Sequence, residues 1–339
     1  MLASVTDDAL ARLQQQHGTG LTLAHLVDAG VDQLPLPGTG RTLARWRVLA
    51  EVAAHDLSLA KLFEGHTDAL AILQELDAPA PPRGSRWGTW CAEPPDARLT
   101  MNTVGSAADV GGSHVRLSGT KAWCSGAAAA THAVVSCWNA GGEPCLAAVA
   151  IAPPHVAITG DGWHAVGMAA SGSVDVRFDH ADARQLGRPG DYVNRPGFWQ
   201  GGAGIAACWF GGALGIARMT WQASGKTPDA HRLAHLGAID VALGGGAAVL
   251  RETAAWIDAH PKEDARRAAL RVRLVVEHAA NEVMHHAGRA VGAGPMCRNP
   301  RFARAMADLP VFLRQSHAER DLAALGQQML DGETPPWML

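Results

Sequence analysis

The chain has 339 residues, of which 47% are apolar and 18% charged, so a large core is available and wholesale disorder is excluded. Its formal charge is -3, and with four lysines against 25 arginines no Lys/Arg run exceeds a doublet such as Arg266-Arg267, which argues against a nucleic-acid partner. Six cysteines (91, 124, 137, 145, 208, 297) form no C-x-x-C pair and read as free thiols of a reducing, cytoplasmic compartment; Met1 to Asp8 carries no basic segment followed by an apolar stretch, so no secretory signal is expected.

In chain order, residues 1–84 are expected to form a helical domain. Between Leu43 and Leu76 apolar residues recur at helical spacing, namely Leu49, Val52, Leu59, Leu62, Phe63, Leu70 and Leu73. The stretch Asp77 to Gly84 holds three prolines and ends any helix, because proline lacks an N–H and restricts its predecessor. Residues 85–193 change character. Short runs such as Val115 to Leu117, Ala133 to Trp138, Leu146 to Ile151 and Val174 to Phe178 are separated by turn signals at Asn139 to Gly142 and Gly160 to Gly162, which predicts a β-barrel or sandwich.

Residues 194–339 are expected to be a helical bundle. From Pro196 to Ala217 there are 22 uncharged residues, long enough to span a membrane. Seven glycines dilute the segment and no second span is expected to accompany it, so it reads as a buried helix. Pro261 to Asp264 resembles a helix start, followed by a face of Ala268, Val272, Val275, Ala279 and Val283. Gly292 to Pro295 ends that helix. The next runs through Phe302, Ala305 and Met306 and is interrupted at Pro310, and a last one begins near His317 and runs through Met329. Helices, then strands, then helices is an α+β plan.

Other motifs carry less. Gly202 to Ala207 fits G-x-G-x-x-A but follows no hydrophobic strand. His231 and His235 can share a helix face, as can His278, Glu282 and either His285 or His286, without matching a recognised zinc motif. No G-x-S-x-G elbow occurs.

The run Val115-Arg116-Leu117-Ser118-Gly119-Thr120-Lys121-Ala122-Trp123-Cys124-Ser125-Gly126-Ala127 resembles a signature strand of the acyl-CoA dehydrogenase superfamily. Further segments resemble other parts of that family, in its order: Cys91-Ala92-Glu93-Pro94 a turn, Gly167-Met168 to Phe178-Asp179 a later β-domain segment, Ala54 to Leu59 with His66 the N-terminal helix pair, Gly212 to Arg218 the first C-terminal helix, and Gly292-Ala293-Gly294 a glycine cluster. The resemblance implies an N-terminal helical domain, a middle β-domain and a C-terminal bundle holding FAD. It implies cofactor contacts from Cys91, Ala92, Trp123, Cys124, Ser125, Gly292 and Gly294. Trp123 would lie on the flavin ring and the Ser125 hydroxyl would bond its N5.

The implied activity is dehydrogenation of an acyl-CoA or related acyl substrate, with a flavoprotein electron acceptor and a homo-oligomeric (dimeric or tetrameric) assembly. Two departures open alternatives. The position of the usual glutamate base is Ser316, and the helix that supplies the other familiar base has no Asp or Glu between 198 and 218. His317 adjoins the vacant place, so Ser316 and His317 are the catalytic candidates. A histidine here resembles the flavin-dependent monooxygenase branch, which implies FMN and a flavin reductase. Ala92 in place of a threonine, and the missing diphosphate-gripping arginine, open a further alternative, a non-catalytic scaffold or partner subunit.

Overall fold

The computed structural model describes residues 2–104, 114–331 and 337, with side chains from Asp8 onward. It forms two compact units that interleave along the chain. Of the described residues, the first holds those within 1–34, 61–165 and 169–198, and the second those within 35–60, 166–168 and 199–339.

The core of the first unit is a closed barrel. Strands β1 (Trp87–Trp90), β2 (Leu99–Thr103), β3 (His114–Cys124), β4 (His132–Trp138), β5 (Pro144–Ala150), β6 (Val156–Ile158) and β7 (Val174–Leu186) join in one sheet. The order β4-β2-β3-β7-β5 closes through the β4–β5 hairpin, with β1 added on β4 and β6 on β7. Closure leaves the five-strand ring without a free edge. The four predicted runs fall in β3, β4, β5 and β7. Strands β1, β2 and β6 lie outside the predicted runs, each being five residues or fewer and too short to stand out along the chain. The interior is filled by Leu99, Met101, Val115, Leu117, Val135, Val149, Val176 and Phe178. Asn139 to Gly142 makes the β4–β5 turn, where Asn139 accepts the Glu143 N–H at 2.9 Å.

Helices α1 (Leu2–His17) and α2 (Leu23–Asp28) belong to this unit, as does most of α4 (Leu57–Glu75). Ala69, Ile72 and Leu73, three and four residues apart, put one stripe of α4 onto Trp87, Val134, Leu146 and Leu186. The helical pattern from Leu43 to Leu76 is two helices, because Asp56 turns extended (φ -156°) between α3 (Thr42–His55) and α4. The Asp56 carboxylate then accepts the Leu59 N–H at 2.8 Å and caps the new helix.

The second unit is a bundle of α3, α6 (Gly197–Ala223), α7 (Ala230–Ala259), α8 (Arg266–Val291), α9 (Ala293–Arg298), α10 (Pro300–Phe312) and α11 (Glu319–Leu330). The short α5 (Asp191–Asn194) lies in the first unit. Two boundaries and one buried face differ from the expectation. Helix α8 starts at Arg266, whose N–H the Asp264 carboxylate accepts, so Pro261 lies in a turn before the helix. Its buried face is Val272, Val276, Ala279, Val283, Ala287 and Ala290, while Val275 is exposed and Ala268 half-buried. Pro310 sits inside α10 without stopping it, because it is near the C-terminal end where few backbone bonds are lost.

Among the described residues two helices are long and apolar enough to cross a membrane, not one. The apolar window of α6 is 67% buried inside the protein, as expected, but that of α7 is only 17% buried. Asp240 and Arg251 interrupt the apolar run of α7, so no long uncharged stretch marks it along the sequence.

Glycines in α6 fix how closely it meets α3. A Cβ on Gly211 would lie 2.1 Å from the Ala50 carbonyl oxygen, and one on Gly215 would lie 2.6 Å from that of Ala54. Both obstacles are backbone, so neither can step aside as a flexible side chain would. Gly211→Ala is therefore expected to cost about 1–3 kcal/mol in chemical denaturation. Gly244→Ala, exposed in α7 with nothing within 4 Å, should instead gain about 0.5–1 kcal/mol. Equal midpoints for the two variants would refute the close α3–α6 approach.

Candidate functional site

The C-terminal end of β3 gathers most of the sequence-predicted contacts. Pairing of β3 with β7 slips between Lys121 and Cys124, a bulge that turns the strand. Lys121 and Ala122 are thus both buried, and Trp123 takes φ +57°, a conformation an aromatic residue rarely adopts. Its indole is 52% exposed although it stands on a barrel strand. A strained backbone that presents a large aromatic plane outward is the kind of feature kept for a ligand. The Cys124 side chain points the other way, into the barrel core, so among the predicted contacts it offers its backbone alone. Burial raises its thiol far above the usual range.

Lys121 is fully buried and its ammonium must be compensated. It donates to a Glu93 carboxylate oxygen, to the Ser136 hydroxyl at 2.6 Å and to the Ser136 carbonyl at 3.1 Å. Ser136 also donates to Glu93, and the Trp138 indole N–H gives Glu93 a further bond at 2.8 Å. Arg98 stacks over that indole at 4.1 Å. Burial opposes the ionisation of Glu93, but the bonds from Lys121, Ser136 and Trp138 outweigh it and hold the carboxyl below its usual range. This network ties the segment Cys91-Ala92-Glu93-Pro94 to the strand that carries Trp123. Sequence reasoning missed the roles of Glu93, Ser136 and Trp138. A lysine at an inward strand position was the signal, since it demands a carboxylate.

Cys91 is half-buried, and burial pushes its thiol up to about 11. It is therefore a neutral group, packed with Tyr192 against the α4 face of the barrel. Ala92 is half-buried beside it.

Ser125 begins a chain of hydroxyls. Its Oγ lies 2.8 Å from that of Ser173, which lies 2.9 Å from that of Ser171. Ser171 and Ser173 are buried, and Ser125 is partly open. The backbone is fixed around them: the Trp90 indole donates to the Ser125 carbonyl at 3.0 Å, and the Gly126 N–H donates to the Ser171 carbonyl at 2.7 Å.

In the second unit, Ser316 is buried and its Oγ accepts the Ala318 N–H at 3.1 Å, which engages the hydroxyl in the turn before α11. His317 is open. Its backbone N–H donates to Asp321 at 3.0 Å and its Nδ1 lies 3.5 Å from the same carboxylate, with 57% of the side chain exposed. Arg273 holds this turn by donating to the Gln315 carbonyl at 2.8 Å and to the Gly202 carbonyl at 3.2 Å. Asp308, eight residues before Ser316, is buried and accepts the Met168 N–H at 2.5 Å. Burial raises its carboxyl above the usual range. Gly292 closes α8 at φ +65° and Gly294 follows in α9; both are exposed with open space where a Cβ would go.

The remaining motifs resolve plainly. Gly202 to Ala207 lies inside α6 and forms no loop. His235 and His286 meet at 2.9 Å between α7 and α8, but among the described residues no three His, Cys, Asp or Glu side chains converge on a metal position.

The donor set of the first unit fits a flavin: an open indole plane with a hydroxyl two residues away on the same turn, and a backbone segment pinned alongside by Glu93. No protein-family model and no curated protein matches the chain. Solved structures do. The dibenzothiophene monooxygenase TdsC of Paenibacillus sp. A11-2, crystallised with FMN and indole, is 19% identical with a TM-score of 0.79, over 98% of this chain and 97% of that one. The methanesulfinate monooxygenase MsuC of Pseudomonas fluorescens is 20% identical with a TM-score of 0.76, over 99% and 97%. A nitrososynthase of Micromonospora carbonacea var. africana is 19% identical with a TM-score of 0.74, over 96% and 94%. The fold that this chain shares with them along nearly its whole length is that of the acyl-CoA dehydrogenases, as its β3 motif implies.

Proposed function

We propose that this chain is an FMN-dependent monooxygenase that takes its flavin already reduced, rather than a dehydrogenase of acyl thioesters. The carrying observation is what occupies the base positions. Position 316 is a buried serine engaged in a turn, α6 has no Asp or Glu between 198 and 218, and the open titratable side chain next to the vacancy is His317. Removing an α-proton from a thioester calls for a positioned carboxylate, whereas a histidine suits proton transfer near neutral pH. The fold neighbours support this reading, because their names are monooxygenase and nitrososynthase and TdsC was crystallised with FMN.

FMN also relieves a difficulty of the FAD expectation. It carries one phosphate and no diphosphate, so the missing arginine and the open glycines 292 and 294 leave nothing unpaired. Bound FMN, once reduced, would supply the capacity to activate dioxygen. The chain's own residues do the rest. Trp123 packs against the ring, Ser125 bonds its edge, the Glu93 network keeps the neighbouring backbone in place, and His317 moves a proton. A flavin reductase is the proposed partner, and a homo-oligomer the proposed assembly.

The test is a pair of reactions. Purified protein with FMN, a reductase and NADH should yield a product that incorporates oxygen from dioxygen when offered aromatic, sulfur or amine substrates. Anaerobic addition of an acyl-CoA panel should leave the flavin colour unchanged. Bleaching by acyl-CoA would restore the dehydrogenase reading, and protein that never binds flavin would favour a scaffold.

A further inference from the structure

The hydroxyl chain Ser125–Ser173–Ser171 has a property that a lone serine lacks. A hydroxyl has one proton to donate and two lone pairs. Ser173 is buried and lies within bonding distance of both neighbours, 2.8 Å from Ser125 and 2.9 Å from Ser171. Leaving its proton unbonded would be costly, so Ser173 donates to one neighbour and accepts from the other. The row therefore has two head-to-tail arrangements. In one, protons point toward Ser125, whose own proton is free to be given to a ligand. In the other, they point toward Ser171, and Ser125 has a free lone pair to receive one.

A flavin needs both. Its N5 is a bare acceptor when oxidised and an N–H donor when reduced. We propose that Ser173 and Ser171 are positioning residues that let Ser125 reverse its hydrogen-bond polarity with the oxidation state of the flavin. The inference rests on the flavin reading above and deepens it. No atom leaves the row and no electron moves through it; three hydroxyls rotate together.

Ser173→Ala separates the two states. Ser125 can still donate to oxidised N5 and loses only a bond to its lone pair. Against reduced flavin, Ser125 must accept, and its own proton then points at a methyl group. The variant should bind oxidised FMN nearly as the parent does and reduced FMN about tenfold more weakly. Equivalently, the midpoint potential of the bound flavin should fall by about 30 mV. The measurement is titration of the protein with oxidised FMN in air and with dithionite-reduced FMN anaerobically.

Ser173→Cys, a weak donor of similar size, should shift the ratio in the same direction, which guards against a folding defect special to alanine. Ser171→Ala, one link further away, should also do so. Unchanged ratios of the two affinities in these variants would overturn the polarity switch while leaving the flavin reading intact. Failure of the parent protein to bind FMN in either state would remove both.

Discussion

His317→Ala should lower the rate of oxygenated product formation by roughly 10²- to 10⁴-fold, the usual contribution of a positioned proton-transfer group. It should do so without weakening the fold. More than half of the imidazole is exposed, and its one ion-pair contact is a 3.5 Å approach to Asp321. Contacts of that kind contribute about 0–1 kcal/mol. The bond that holds the turn, from the His317 backbone N–H to Asp321, does not depend on the side chain and survives the substitution. A large loss of rate at constant melting temperature therefore assigns the group to chemistry. His317→Gln, which keeps polarity but cannot carry a proton, should be as slow as the alanine variant. An unimpaired rate in either would remove His317 from the mechanism.

Glu93→Gln should destabilise the protein by about 3–5 kcal/mol, because it leaves the Lys121 ammonium buried without a counter-charge. The bonds from Ser136 remain, but a neutral amide does not balance a charge that has no access to water. Lys121→Met combined with Glu93→Gln should recover much of the loss, since the buried charge is then gone along with its partner. The parent should also lose stability more steeply in acid than Glu93→Gln does. The folded carboxyl titrates below its ordinary value near 4.5, so the native state binds fewer protons than the unfolded chain in that range. Its contribution to stability is full above that pH and declines as pH falls through the folded value. Denaturation midpoints measured from pH 7 to pH 3 check both statements. Identical pH slopes for parent and variant would show that Glu93 is not held ionised by its partners.

Much of this molecule was open to inspection along the chain. The barrel strands β3, β4, β5 and β7 announce themselves by short apolar or alternating runs between turn residues, and α4 by apolar residues three and four apart. The β3 motif also named Trp123 and Ser125. The resemblance of Ala54 to Leu59 implied a helix pair there, but periodicity did not show the split into α3 and α4, because the break at Asp56 is one extended residue with no glycine or proline to mark it. The functional network around Lys121 was equally hidden: Glu93, Ser136 and Trp138 come from separate stretches, and only barrel closure puts them around one ammonium.

What the order of residues determined by itself was chemistry and periodicity: the α+β plan, the signature strand, the absent carboxylates and the presence of His317. These depend on residue type and on separations of a few positions, which the chain carries locally. The tertiary structure alone decided orientation and pairing. The β3 bulge lets Lys121 and Ala122 both be buried although they are neighbours on a strand, and it is folding that brings Ser125, Ser173 and Ser171 into one row across 48 positions of sequence. The physical reason is that a side chain's role depends on what faces it. That is set by register and by long-range contacts, which leave no mark on the spacing of the residues that make them.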